Sequence, residues 1–124
     1  MGKVSGLDHV NIDTCRLDET VVFYSDLLGL ESRVKPSGNS GVWLYCDERA
    51  IVHVNLIDDD LAEMSTGSFN HVAFAGTDFE ATCALLDAAG YPYRQAHQPE
   101  IGVSQVFLED PNGVGVEINI RTRR

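Results

Sequence analysis

Basic residues are few in this chain. Lys and Arg together number 9 against 19 Asp and Glu, giving a formal charge of -10 and a pI near 4.6. That is too little positive surface to neutralise a phosphate backbone, which excludes nucleic acid as a partner. Cysteine is scarce as well. The three present (Cys15, Cys46 and Cys83) are odd in number and have no metal-ligand spacing, which excludes a disulfide framework and predicts reduced thiols. No apolar run approaches the roughly 20 residues of a membrane-spanning helix, so no membrane partner is expected. The opening Met1-Gly2-Lys3-Val4-Ser5-Gly6 lacks an apolar leader core and puts Gly6 where myristoylation expects Ser or Thr. A cytoplasmic protein is the expectation.

What is present is a repeat. Leu7-Asp8-His9-Val10-Asn11-Ile12 corresponds to Phe69-Asn70-His71-Val72-Ala73-Phe74, with the two histidines 62 residues apart. Ile51-Val52-His53-Val54-Asn55-Leu56 corresponds to Gly115-Val116-Glu117-Ile118-Asn119-Ile120, with His53 and Glu117 64 residues apart. Each half reads strand, helix, then three strands. In the first, alternation marks strands at 7–13, 30–34, 42–46 and 50–57. A helical period covers 17–28 and stops at Gly29, and a Gly- and Ser-rich turn is expected at 36–41. In the second half, strands are predicted at 69–75, 91–96, 103–109 and 114–120. Thr77-Asp78-Phe79-Glu80 has the spacing of a capping box, opening a helix that runs to Ala89 and stops at Gly90. Asp110-Pro111-Asn112-Gly113 is a hairpin turn. The prediction is an α+β single domain, 1–124, of two βαβββ modules (5–58 and 68–121) joined by a polar linker at 59–67. Neither sheet buries both faces alone; side by side they are expected to form an open, partly closed barrel with helices outside.

Alternation also assigns faces. Val10 and Ile12, Val52 and Val54, Val72 and Phe74, and Val116, Ile118 and Ile120 form aliphatic faces that can pack under helices. The opposite faces carry His9, His53, His71 and Glu117, with Asn11, Asn55 and Asn119 beside them. Imidazole and carboxylate together suit a divalent ion such as Zn²⁺, Ni²⁺, Co²⁺, Mn²⁺ or Fe²⁺. Four ligand-type groups at repeat-related positions therefore predict one metal, with coordination positions left for water or a bidentate substrate. The asparagines are candidate hydrogen-bond donors behind the ligands. Trp43 and Tyr45 are candidate pocket walls, and Arg121, which continues the face of Glu117 and Asn119, is the best placed of Arg33, Arg94 and Arg121 to bind a substrate carboxylate. His97, in Gln95-Ala96-His97-Gln98-Pro99, is expected in a loop at the surface or rim.

These residues resemble the vicinal oxygen chelate superfamily, which includes glyoxalase I, methylmalonyl-CoA epimerase, fosfomycin-resistance thiol transferases, extradiol dioxygenases and metal-free bleomycin-resistance proteins. The resemblance covers nearly the whole chain. It is carried by Leu7-Asp8-His9-Val10, by Phe23-Tyr24-Ser25-Asp26-Leu27-Leu28-Gly29-Leu30, by Phe69-Asn70-His71-Val72-Ala73-Phe74, and by Phe107-Leu108-Glu109-Asp110-Pro111-Asn112-Gly113 with Val116-Glu117-Ile118. It implies that His9, His71 and Glu117 are ligands. His53 falls where glyoxalase I usually has a glutamate and epimerases a glutamine, and Arg16 stands where the family's helix cap is often Asp.

The resemblance implies a homodimer acting on a small molecule. The first expectation is a lyase or isomerase of glyoxalase or epimerase type. Its substrate would chelate the metal through vicinal oxygens, an enediolate would be stabilised, and Glu117 or His53 would serve as base. An alternative is an Fe²⁺ ring-cleaving dioxygenase using His9, His71 and Glu117. A further alternative is a protein that sequesters a small molecule such as an antibiotic. The thiol transferases carry an extended basic and potassium-binding region that this sequence lacks, so the expectation points away from them.

Overall fold

The computed structural model describes residues 3, 5–36, 40–61 and 66–121. Parts of the turn expected at 36–41 and of the linker at 59–67 lie outside the described residues. The chain divides into two compact units, Met1–Leu61 and Ala62–Arg124.

The first unit contains β1 (Val10–Thr14), α1 (Leu17–Val21), a π-helical turn (Val22–Leu27), β2 (Glu31–Val34), β3 (Gly41–Cys46) and β4 (Arg49–Leu56). Its sheet runs β1-β4-β3-β2, with β1 parallel to β4 and the other pairs antiparallel. The second contains β5 (His71–Gly76), α2 (Phe79–Ala89), β6 (Arg94–Gln98), a 3₁₀ turn (Pro99–Ile101), β7 (Val103–Glu109) and β8 (Gly115–Arg121), ordered β5-β8-β7-β6. Here β5 is the strand parallel to β8. The chain is thus α+β, built of two tandem βαβββ modules as the repeat predicts.

Each sheet buries its aliphatic face. In the first unit Ile12, Leu44, Val52 and Val54 are buried with Phe23 and Tyr24, and α1 packs on β4. In the second Val72, Val106, Leu108, Val116, Ile118 and Ile120 are buried with Cys83 and Leu86 of α2, which packs on β7. Fully burying such side chains contributes about 1.5–3 kcal/mol each, so these faces fix the strand register and hence what the opposite faces present.

Four expectations are corrected. The helix expected over 17–28 is α-helical only to Val21; Val22–Leu27 is a π-helical turn, in which Leu28 N–H donates to Phe23 O at 3.2 Å. The wider turn accommodates Phe23 and Tyr24, both buried, and the buried Ser25 hydroxyl has no hydrogen-bond partner among the described residues. The second helix is capped by Asp78, whose Oδ1 accepts from Ala81 N–H at 2.9 Å, rather than by a Thr77–Glu80 box. The helix begins one residue later than that box requires, and Asp78 is the stronger acceptor toward its N-terminus. The first strand begins at Val10, leaving His9 just before it. Finally, His97 lies within β6, not in a loop. It is exposed, its Nδ1 is 3.0 Å from Ser104 Oγ, and its ring meets the edge of Phe79. Pro99 ends the strand later than the sequence suggests.

Candidate metal centre

The candidate ligands come together as two pairs at equivalent places in the two units. In the first, Asn11 stands opposite His53 in the β1–β4 register, and His9 lies two residues before Asn11 on the same face. The His9 and His53 rings stack with centroids 3.7 Å apart, and Trp43 stacks on the far side of His53 at 4.1 Å. In the second, Ala73 stands opposite Glu117 and His71 lies two residues before Ala73. His71 Nε2 is 3.4 Å from Glu117 Oε1. Among the described residues no group of three or more His, Cys, Asp or Glu side chains is close enough to hold a metal.

The wiring behind the histidines repeats too. His9 Nδ1 is 2.7 Å from Asp8 Oδ2, and His71 Nδ1 is 2.9 Å from Asn70 Oδ1. In both cases the side chain of the preceding residue places an oxygen against Nδ1; in the tautomer that donates to it, Nε2 carries the lone pair. His53 makes a hydrogen bond to the backbone of Ala50. One ring nitrogen of each histidine is thus committed to an acceptor, the arrangement that orients an imidazole toward a metal.

The Nε2 of His71 faces a carboxylate oxygen, so in the Nδ1–H tautomer two electron-pair donors point at the same space. Their 3.4 Å separation is the bite of two ligands with bonds of about 2.1 Å at roughly the tetrahedral angle. The donors present therefore fit a divalent ion of the imidazole-preferring kind.

Electrostatics support the same role for His53. Burial, followed by the charge of nearby His9, holds its pKa below the ordinary value, which keeps the ring neutral at physiological pH. Asp8 is held below the usual carboxylate range chiefly by its hydrogen bond to His9.

The sequence-predicted neighbours divide. Asn55 Nδ2 donates to Asn11 Oδ1 at 3.1 Å and to Asp13 Oδ1 at 3.2 Å, so Asn11 and Asn55 form one network beside His53. Asn119 joins a second network through a residue the sequence reading missed. Gln105 Nε2 donates to Glu117 Oε2 at 3.2 Å and to Asn119 Oδ1 at 3.0 Å, while its Oε1 accepts from Gln98 Nε2 at 3.0 Å. Gln105 thereby ties down one oxygen of the buried Glu117 and leaves Oε1 toward His71. Trp43 contacts the site by stacking on His53. Tyr45 lies under the Arg33 guanidinium at 4.1 Å, which pairs with Glu31, so its ring face is already taken. Arg121 lies at the far end of β8, four residues beyond Glu117 or about 13 Å along the strand. It borders a hollow of about 440 Å³ lined by β5 residues including Ala73 and Ala75. His71 instead opens onto a cavity of about 900 Å³ walled by Tyr91, Tyr93, Arg94 and Phe107. The Tyr91 hydroxyl, donating to the Glu109 carbonyl, is pushed up to about 12 by burial. It remains protonated at any physiological pH.

The chain thus carries two tandem βαβββ modules, each presenting a histidine-containing pair of its own. The profile described as the Glyoxalase/Bleomycin resistance protein/Dioxygenase superfamily matches residues 6–118, and the chain belongs to that superfamily. Among similar proteins, "Glutathione transferase FosA" of Serratia marcescens is 29% identical over 122 residues, covering 94% of this chain and 82% of that protein. "Probable lactoylglutathione lyase" of Synechocystis sp. is 27% identical over 120 residues, covering 89% of this chain and 91% of that one. A crystal structure of a glyoxalase/dioxygenase from Nostoc punctiforme shares the fold with a TM-score of 0.75 at 18% identity, covering 96% of this chain and 92% of that one.

Proposed function

We propose that the protein is a metal-dependent enzyme of glyoxalase or epimerase type, with His9, His53, His71 and Glu117 as its ligand set and a small substrate that chelates through vicinal oxygens. The observation that carries this reading is the contact between His71 Nε2 and Glu117 Oε1, two ligand-type atoms 3.4 Å apart and each fixed from behind, by Asn70 and by Gln105. When bound, a divalent ion such as Zn²⁺, Ni²⁺, Co²⁺, Mn²⁺ or Fe²⁺ supplies Lewis acidity to the two substrate oxygens. The residues of the chain do the rest. Glu117 and the neutral His53 are the groups able to take a proton from a carbon beside those oxygens and return it to its neighbour. Trp43, stacked on His53, covers one face of that ring and limits water there.

The similarity to a lactoylglutathione lyase supports proton transfer as the reaction. The similarity to a glutathione transferase supports a second reading on the same ligand set, addition of a thiol to an electrophile. The deciding experiment begins with elemental analysis of protein purified without chelator. The protein, loaded in turn with Ni²⁺, Zn²⁺, Mn²⁺ and Fe²⁺, is then assayed for three reactions. These are isomerisation of the hemithioacetal of methylglyoxal and a thiol, thiol opening of a small epoxide, and oxygen uptake with catechols. Isomerisation lost in His71→Ala and Glu117→Ala variants is the expected result. Turnover of only the epoxide or the catechol moves the protein to the transferase or dioxygenase class. A wild-type protein that takes up none of the four metals, and whose melting temperature none of them raises, removes the metal reading altogether.

A further inference from the structure

The least explained charge in the first unit is Lys35. It lies one residue beyond β2, and only 9% of its surface is exposed. A lysine ammonium has three N–H donors and is costly to bury without partners. Among the described residues Lys35 makes one hydrogen bond, donating to Asn55 Oδ1 at 2.6 Å, and it has no carboxylate within ion-pair distance. Among the described residues its one partner is a neutral amide, which leaves two donors and the ammonium charge unmatched there.

The sheet explains how Lys35 reaches that position. Asp13, Asn55 and Gly41 stand opposite one another across β1, β4 and β3, and Lys35 continues that row beyond β2. Gly41 contributes no side chain, so the lysine stem can cross β3 to Asn55. The strands also need this glycine themselves: a Cβ there would lie 2.0 Å from Val54 O. Asn55 spends both of its ends, accepting from Lys35 and donating to Asn11 and Asp13. The amide therefore stands between the ammonium and the Asp13 carboxylate. The neighbouring row on the same face is Asn11, His53 and Trp43, about 7 Å along the strands. A cation thus stands, incompletely matched, one row from the candidate ligand His53.

We propose that Lys35 is an oxyanion receptor: with one N–H fixed by Asn55, its ammonium binds a carboxylate- or phosphate-type group of the ligand held beside His53. This deepens the proposed function by making the substrate an anion. It rests on that reading only for what the remainder of the ligand contacts.

Trp43 is the chain's single tryptophan and lies in the adjacent row, so its fluorescence reports the site directly. Full-length protein freed of metal by chelator is titrated with inorganic phosphate and, separately, with malonate at constant ionic strength. Saturable change in Trp43 emission is expected for wild type and for Lys35→Arg, with affinity at least about tenfold weaker in Lys35→Met. Preference between the two anions tells a phosphate-type group from a carboxylate. Lys35→Gln, which keeps a hydrogen-bond donor but no charge, is read in the same way should Lys35→Met fail to fold by circular dichroism. Equal affinity in wild type and the folded neutral variants overturns the proposal. So does a wild type that titrates with neither anion while Lys35→Met merely melts earlier, because Lys35 would then serve only the sheet. A parallel titration with Ni²⁺ and Zn²⁺ separates the two readings, since anion binding that depends on Lys35 in a protein that binds no metal supports the receptor and removes the metal centre.

Discussion

Gln105 offers the sharpest test of how Glu117 is presented. Replacing it with leucine keeps the bulk of the side chain on β7 but removes the donor to Glu117 Oε2 at 3.2 Å and to Asn119 Oδ1 at 3.0 Å, and the acceptor for Gln98. Glu117 is 8% exposed, so water replaces the lost donor poorly. A hydrogen bond to a buried charged group contributes about 1.5–3 kcal/mol, and orphaning Asn119 adds about 1 kcal/mol more. Two effects follow. The metal-free protein should lose about 2.5–4 kcal/mol of unfolding free energy in urea. Metal affinity should fall about 10–100-fold, because Oε2 is freed to rotate and the carboxylate no longer holds one oxygen toward His71. Competition against a chromophoric chelator measures the affinity. The visible spectrum of the Co²⁺-loaded protein reports whether the coordination changes, which a purely structural defect would leave alone. Affinity within twofold of wild type together with an unchanged Co²⁺ spectrum would show that Gln105 does not position Glu117.

Other consequences are independent of metal. Ser25→Ala removes a buried hydroxyl with no partner among the described residues and should raise stability by about 1 kcal/mol, read as an increase in melting temperature of several degrees. Asp78→Ala removes the acceptor for Ala81 N–H and should cost about 1 kcal/mol in urea unfolding. Gly41→Ala places a Cβ against Val54 O at a φ of 130° and should cost at least about 2 kcal/mol or prevent folding. Because the folded-state pKa of His53 is lowered, the unfolded chain binds more protons between that pKa and about 6.5. The metal-free protein should therefore lose stability as pH falls through that range, and His53→Gln should flatten this part of the curve; an unchanged slope would show that His53 is not the group responsible.

The fold was legible because two copies of one pattern reinforce each other. Alternation at Val52-His53-Val54-Asn55 and at Val116-Glu117-Ile118-Asn119 marks which side chains are buried, and the aliphatic faces pack as that alternation requires. The pairing of His9 with His53 and of His71 with Glu117 follows from the same register. Boundaries were less legible. The π-helical turn depends on seating Phe23 and Tyr24, a tertiary demand that helical periodicity does not encode. The missed residues share one cause. Gln105 and Lys35 act across strands distant in sequence, so nothing local in Ser104-Gln105-Val106 or Val34-Lys35-Pro36 marks them. Asp8 and Asn70 did carry a signal, since both precede the repeated histidine and both offer an Oδ acceptor.

The asymmetry between the two pairs has a charge consequence that joins the metal and anion proposals. The proposed ligand set holds three imidazoles and one carboxylate, so a divalent ion held by it would keep one net positive charge. With Lys35 one row away, that surplus favours an anionic substrate. His53→Glu cancels it by placing a carboxylate about 7 Å from the proposed anion position, two residues from Asn55 on the same face. At an effective dielectric constant of about 20, that repulsion is about 2 kcal/mol, or roughly 30-fold in affinity. Phosphate binding to the metal-free variant should weaken by about that factor, read from Trp43 emission. Loss of the Trp43–His53 stack alone is controlled by His53→Gln, which leaves the charge unchanged. Metal preference should move the other way, toward the oxygen-preferring Mn²⁺ and away from Zn²⁺. If His53→Glu and His53→Gln bind phosphate equally well, the anion does not sit in the field of position 53, and the surplus-charge argument fails even if both variants still bind metal.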